Sequence, residues 1–355
     1  MWPMVFSPPQ DHKKHGKGVA SMRKRLLGKT GLMVSEVGFG GIPIQRVDAP
    51  AVKTILMECL RREVTFIDTA RGYTTSEEMI GAAIEGHRDS FVLASKTMAK
   101  SYEDMKRDIG ISLINFRTDY IELYQAHFVR NQEAYDALIQ QGGYEAMLEA
   151  KREGLIGHIG ITSHDHKLLE KIIEEGRFET IQFPYNLVEH QGERLFQRAH
   201  ELGLGVIAMK PLAGGAISNG PLSLKYILNN PHISVAIPGM DSPQQVSENA
   251  VMGSADLNYT EEDLKNMEIV RQEMGEHFCR RCGYCLPCPQ GLDIPTLFLM
   301  EGYLKRYGLK AWAEERYGSM AFKASDCVEC GICETRCPYD LPIRNMLKKV
   351  DESFK

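Results

Sequence analysis

From Ser35 onward the chain alternates short apolar runs that end in polar residues with longer amphipathic stretches. That alternation is the sign of strands followed by helices. Eight strand candidates succeed one another: SEVGFGG, VTFIDTA, FVLASKT, YIELYQAHF, IGHIGITSH, TIQFPYN, GVIAMKP and SVAIPG. Helical segments such as SEEMIGAAIEG and HKLLEKIIEEG separate them. Eight repeated βα units predict an α/β fold in which parallel strands close into a (β/α)8 TIM barrel. The alternative, an open doubly wound sheet, would carry a glycine fingerprint between its first strand and helix. The loosest match to that spacing, GLGVIA at Gly203–Ala208, enters a strand instead of opening a helix.

Residues 1–21, MWPMVFSPPQDHKKHGKGVAS, are polar, with the Pro8–Pro9 pair as their one regularity. They read as a disordered extension, or as upstream sequence before a start at Met22. They lack the charged start, long apolar stretch and small-residue cleavage site of a secretory signal. No apolar run approaches the roughly 18 residues that cross a bilayer. The expected location is therefore the cytoplasm, where structural disulfides do not persist. A hydrophobic share of 43% and a charged share of 25% suit a soluble globular protein with a large core. The net charge of -5 offers no basic field for nucleic acid. The expected organisation is an extension at 1–21, a barrel at 22–272 and a small, mainly helical domain at 273–355.

Eight of the nine cysteines lie beyond residue 278. Cys59 stands apart in AVKTILMECLRREV, on one helical face with Val52, Ile55, Leu56 and Leu60, and reads as an inert core thiol. HFCRRCGYCLPCPQG places Cys279, Cys282, Cys285 and Cys288 two residues apart. CVECGICETRCP places Cys327, Cys330, Cys333 and Cys337 at the C-x2-C-x2-C-x3-C-P spacing of bacterial ferredoxins. The resemblance implies two 4Fe-4S clusters, each held by three cysteines of one run and the fourth of the other. Zinc ribbons also use C-x2-C pairs, but a ribbon needs only two close thiolates per knuckle, so triplets closed by proline favour iron. The first run is one residue short before Cys288. That fourth ligand is the least fixed by spacing, and a single cluster from the second run stays open.

In a barrel of this kind the chemistry sits at the C-terminal ends of the strands. Asp68 closes the second strand candidate, Tyr73 lies in the loop after it, Lys96 closes the third and His127 the fourth. Singly, each has a bland reading, a helix cap or a solvated side chain. Together they suit protonation of a carbonyl oxygen while a hydride reaches the carbon. Tyr73 is the acid, and an adjacent Lys96 ammonium is expected to lower the phenol's pKa. Asp68 would hold that ammonium, and His127 would orient the carbonyl.

The chain resembles the aldo-keto reductase superfamily through FIDTARGYTTSEEMIG, ASK, LYQAH and IPGMDSPQQVSEN, over residues 22–272. The whole looks like the branch that adds a C-terminal ferredoxin-type domain. The resemblance implies that Asp68, Tyr73, Lys96 and His127 are a catalytic tetrad and that KRLLGKTGLMV is a hairpin plugging the barrel's bottom. It also implies an extended nicotinamide cofactor. Ser163 and Gln182 would hold the carboxamide, Met209, Lys210 and Leu212 of MKPLAGG would line the pyrophosphate, and Gly239, Gln245, Glu248 and Asn249 would hold the adenosine end. Met209 stands where many relatives stack an aromatic ring. Gly239 and Gln245 stand where some place cations for a 2'-phosphate. The cofactor is NADP(H) or NAD(H), and Lys210 is a candidate for its phosphates.

His164, His166 and His190 are not read as a metal site, since SHDH suits Asp165 as a helix cap. The leading function is an oxidoreductase acting on a small carbonyl or alcohol, with its clusters passing electrons to or from a partner protein. The second is a redox-responsive nicotinamide-binding protein whose clusters are structural. Tyr73 favours the first, because a sensor needs no proton donor. Hydride moves two electrons and a cluster takes one, so a flavin, an external partner or purely structural clusters must resolve the mismatch. The substrate pocket is expected to include the loop VRNQEAYDALIQQGG.

Overall fold

The computed structural model describes residues 21–275, 277–281, 283–337 and 339–355. The expected extension lies outside these residues apart from Ser21, and Cys282 is outside them as well.

The chain opens with an antiparallel hairpin, β1 (Lys24–Leu26) and β2 (Met33–Ser35). Its turn needs glycine at residue 28, where φ is +57° and a Cβ would fall 2.2 Å from the backbone nitrogen of Gly205. Leu27 and Val34 are fully buried and pack with Phe66, Leu123, Ile207 and Val235 inside the barrel. The hairpin is thus a plug, as the resemblance implied.

The barrel strands are β3 (Phe39–Gly40), β4 (Phe66–Asp68), β5 (Val92–Thr97), β6 (Ile121–Ala126), β7 (Ile156–Thr162), β8 (Thr180–Pro184), β9 (Gly205–Met209) and β10 (Val235–Ile237). They pair in chain order and all in parallel. Parallel bridges at Val37–Ala236 and Gly40–Gly239 join the first strand to the last and close the barrel. Because both faces of such strands are covered, they read as apolar runs and not as alternating ones.

A larger core lies between the strands and the surrounding helices. Helix Ala49–Arg61 buries Val52, Ile55, Leu56 and Cys59, the face expected from its spacing. Burial pushes the Cys59 thiol well above its ordinary pKa, as suits an inert core residue. Residues 129–143, expected to be a pocket loop, instead contain helix Gln132–Gln140. Asn131 caps it by accepting from the Ala134 amide at 3.0 Å, and Ala134, Tyr135 and Leu138 are buried beneath it.

Helix Glu261–Gly275 runs past residue 272 into the C-terminal region. That region is mainly helical, with helices Ile294–Lys305, Lys310–Ser319, Ile332–Thr335 and Ile343–Ser353. Leu297, Leu341, Ile343, Leu347 and Val350 give it a core of its own, with cysteines packed against it. The loop after β8 grips its first cysteine run: Arg280 donates to the Val188 carbonyl at 2.8 Å, and Arg281 pairs with buried Glu189. On this side the region covers the C-terminal end of the barrel.

Candidate active site and cysteine cavities

Asp68 ends β4, and its register partner on β5 is Ala94, two residues before Lys96. This stagger sets both side chains inside the barrel end, where Asp68 is 3% exposed and Lys96 1%. The Lys96 ammonium donates to Asp68 Oδ2 and to the Thr69 carbonyl at 2.7 Å. It lies 5.4 Å from the centre of the Tyr73 ring. The Tyr73 and His127 rings meet edge to face at 5.8 Å. The four residues named from the strand tips therefore converge.

Two expectations about their electrostatics come out differently. Tyr73 is held well above the usual phenol range, chiefly by burial and then by the charge of Asp68. The expected lowering by Lys96 does not prevail, because the ammonium is drawn toward Asp68 and Thr69 and desolvation of the phenolate outweighs it. Burial also lowers Lys96, against the opposing pull of Asp68. His127 sits well below the ordinary histidine value through burial and the nearby Lys96 and Lys210 cations, so its ring is neutral at physiological pH.

Asp68, Tyr73 and Gln182 line one cleft of about 460 Å³ together with Met209, Lys210 and Leu212. Gly239, Gln245, Glu248 and Asn249 line its far end. Eight of the nine residues expected to hold a cofactor thus share a cleft with Asp68 and Tyr73, inside the usual size range of ligand sites. Ser163 is not on its wall. It is buried at the end of β7, where its hydroxyl donates to the Val129 carbonyl at 2.6 Å and accepts from the Asp165 amide at 3.0 Å. Asp165 in turn caps helix His166–Ile172, accepting from the Leu168 amide at 3.1 Å. Within the cleft, two buried polar atoms have no partner, Gln182 Oε1 and Lys210 Nζ, and His127 Nδ1 is a third such atom beside Tyr73. Such groups carry a desolvation cost that a polar ligand relieves. Lys210 is held in place by a left-handed backbone, φ +55°, and by its carbonyl accepting from Asn186 Nδ2 at 3.0 Å.

Several contributors carried no local signal. Gln125, on β6, donates to Asp68 Oδ1 at 3.1 Å and is fully buried. Glu77 anchors the Tyr73 loop through Arg71 at 2.8 Å while accepting from Ser95, Ser112 and Asn115. The cleft is also walled by Arg46 and, from the C-terminal region, by Tyr303, Arg306 and Tyr307.

The cysteines gather around two small cavities. One is lined by Cys327, Cys330 and Cys333 of the second run with Cys288 of the first. The other is lined by Cys279 and Cys285 with Cys337, while Cys282 lies outside the described residues. In the first cavity three cysteines of one run meet the last of the other, in the second two described cysteines meet Cys337, and the short spacing before Cys288 does not take it away from its set. Among the described residues no cysteine is in a disulfide. Among the described residues no three Cys, His, Asp or Glu side chains close upon a single metal ion. Thiols spread around a cavity suit a cubane, whose irons sit at separate corners, better than one tetrahedral zinc.

Residues 36–222 match the model of the aldo/keto reductase family, and residues 278–342 match a 4Fe-4S dicluster domain. An uncharacterized oxidoreductase of Bacillus subtilis is 28% identical over 302 residues, covering 70% of this chain and 96% of the relative. L-galactose dehydrogenase of Arabidopsis thaliana is 28% identical over 300 residues, covering 69% and 93%. Among solved structures, the holo form of an aldo-keto reductase from Bacillus halodurans aligns with a TM-score of 0.62 at 25% identity, covering 70% of this chain and 96% of that one.

Proposed function

The chain belongs to the aldo/keto reductase family and is an NAD(P)-dependent oxidoreductase carrying a 4Fe-4S dicluster domain, and we propose that it reduces a small carbonyl compound, or oxidises the corresponding alcohol, with electrons exchanged through two 4Fe-4S clusters. The observation that carries this reading is the buried Lys96–Asp68 pair beneath Tyr73 and His127, in a cleft whose unpaired atoms await a polar ligand.

A bound nicotinamide supplies the hydride. The chain's own residues do the rest. Lys210 Nζ, held well below the usual lysine range by burial, offers N–H donors to the cofactor phosphates, whose charge favours its protonated form, and Gln182 offers an amide to the carboxamide. Tyr73, kept protonated by its surroundings, delivers a proton to the carbonyl oxygen as the hydride adds to carbon, so one hydride and one proton make the alcohol. As phenolate charge develops on Tyr73, the Lys96 ammonium stabilises it, and Asp68 keeps that ammonium charged and in place. Neutral His127 orients the carbonyl by hydrogen bonding.

Cys288, Cys327, Cys330 and Cys333 would hold one cluster, and Cys279, Cys282, Cys285 and Cys337 the other. Such clusters supply single-electron transfer. A flavin or a partner protein would convert paired electrons to single ones. Incubating anaerobic holoprotein with NADPH or NADH and a panel of aldehydes and ketones tests the reductase: nicotinamide absorbance should fall only when a carbonyl is present. Without any carbonyl, and with flavin added, bleaching of the cluster absorbance is the expected sign of coupling. Clusters that stay oxidised leave the dicluster region a structural or docking role.

A further inference from the structure

The cleft is not made by the barrel alone. Tyr303, at the end of helix Ile294–Lys305, and Arg306 and Tyr307 in the turn after it form a wall facing Met209 and Lys210. Barrel loops hold this turn and the helix that follows it, Lys310–Ser319. Arg46, after β3, pairs with Asp241 at 2.5 Å and also donates to the Tyr307 carbonyl. Gly72, beside Tyr73, accepts from Arg316 at 3.3 Å. Gly214, after β9, has φ +69° and no side chain to keep the turn away, since a Cβ there would stand 2.8 Å from the Tyr307 ring. Asp241, after β10, completes the set through Arg46.

The chemistry of this wall is that of a nucleotide site. Tyr303 and Tyr307 meet edge to face at 5.3 Å, presenting apolar ring surface beside Tyr73. Arg306 is exposed and makes no ion pair among the described residues. It shares the cleft with Lys210, whose ammonium is buried and unpartnered. Of the two acids on its wall, Asp68 is paired with Lys96, while Glu248, at the far end, makes no ion pair among the described residues. Lys210 and Arg306 thus place two sets of N–H donors with no acidic partner along a wall whose unpaired carboxylate, Glu248, lies at the far end, a donor set that suits an anion.

We propose that the 303–307 turn of the cysteine-bearing region is the outer wall of the dinucleotide site, with Arg306 a partner for the pyrophosphate and the Tyr303–Tyr307 pair an aromatic flank for the nicotinamide ring. This rests on the reading of the cleft as a nicotinamide site. It makes cofactor binding a property of both regions and gives a physical route by which the state of the dicluster domain reaches the barrel: whatever moves helix Ile294–Lys305 moves one wall of the site.

Calorimetric titration of anaerobic holoprotein with NADPH, ADP-ribose and nicotinamide mononucleotide tests it, with iron content and melting temperature recorded for each variant. Arg306→Met should weaken NADPH and ADP-ribose by about 10-fold or more, the scale of a hydrogen bond to a charged group, and Arg306→Lys should recover most of that loss. Tyr307→Leu should weaken NADPH and nicotinamide mononucleotide while leaving ADP-ribose unchanged. A merely structural turn would lower all three ligands together or none. Arg306, exposed and unpaired, carries the test even where a Tyr307 variant loses iron. Wild-type binding with unaltered affinities in the Arg306 variants overturns the inference, whereas wild-type protein that binds no dinucleotide overturns the reading of the cleft itself.

Discussion

Lys96 and Asp68 form an ion pair almost wholly withdrawn from water, with side-chain exposures of 1% and 4%. Such a pair is costly to break on one side, because the remaining charge is stranded. Lys96→Met should destabilise the protein by about 3–5 kcal/mol. The double variant Lys96→Met with Asp68→Asn should cost clearly less than the sum of its single changes. Urea unfolding of the four proteins measures this, and strict additivity would contradict the buried pairing.

Tyr73→Phe removes the transferable proton and little else. Carbonyl reduction should fall by about 100-fold or more, while the dissociation constant for NADPH stays within about twofold. A variant that reduced test aldehydes at the wild-type rate would remove Tyr73 from the chemistry.

His127 and His164 are both held well below the ordinary value of 6.5, in each case first by burial and then by neighbouring cations. The folded state therefore resists taking their protons while the unfolded chain accepts them. Stability from these groups is present above about pH 6.5 and is lost as pH falls below it, at up to about 1.4 kcal/mol per pH unit for each histidine. His164→Gln should flatten the decline of the denaturation midpoint between about pH 7 and about pH 5. Parallel slopes for variant and wild type would refute the assignment.

The crossing of the two cysteine runs makes a pairwise prediction. Cys288→Ser should perturb the same cluster as Cys330→Ser, and Cys337→Ser the same one as Cys279→Ser. Electron paramagnetic resonance after reduction, with iron and sulfide counts, reads this. Intact protein should hold about eight irons, the content of two cubanes. Cys288→Ser altering the signal that Cys279→Ser alters would sink the crossed arrangement.

Much of this was legible locally, and the reason is periodicity. Buried parallel strands announce themselves as apolar runs, so the ends of those runs located Asp68, Lys96 and His127 without any knowledge of the fold. The cysteine runs were equally plain, since ligand spacing is a property of the chain itself. Gln125 was hidden because it sits between Tyr124 and Ala126 in a run whose apolar character masks a single inward amide. Residues 129–143 looked like loop because their buried face, Ala134, Tyr135 and Leu138, is short and flanked by polar residues. Tyr303, Arg306 and Tyr307 could not be found at all. Their place opposite Tyr73 comes from the packing of one region over another, more than two hundred residues away along the chain. The Tyr73 shift failed for a related reason: charge proximity can be guessed from strand tips, but the depth of burial cannot.

Each cysteine cavity draws on both ends of the C-terminal region, one borrowing Cys288 and the other Cys337. This has a consequence in time. During synthesis the first run emerges well before the second, yet one thiol set waits for Cys333 and the other for Cys337 to leave the ribosome. The barrel can therefore be complete while both thiol sets still stand open, and loading them becomes the closing event in the life of the new chain. A nonsense change anywhere between Pro289 and Cys333 would forfeit both sets at once, so this stretch tolerates no partial product.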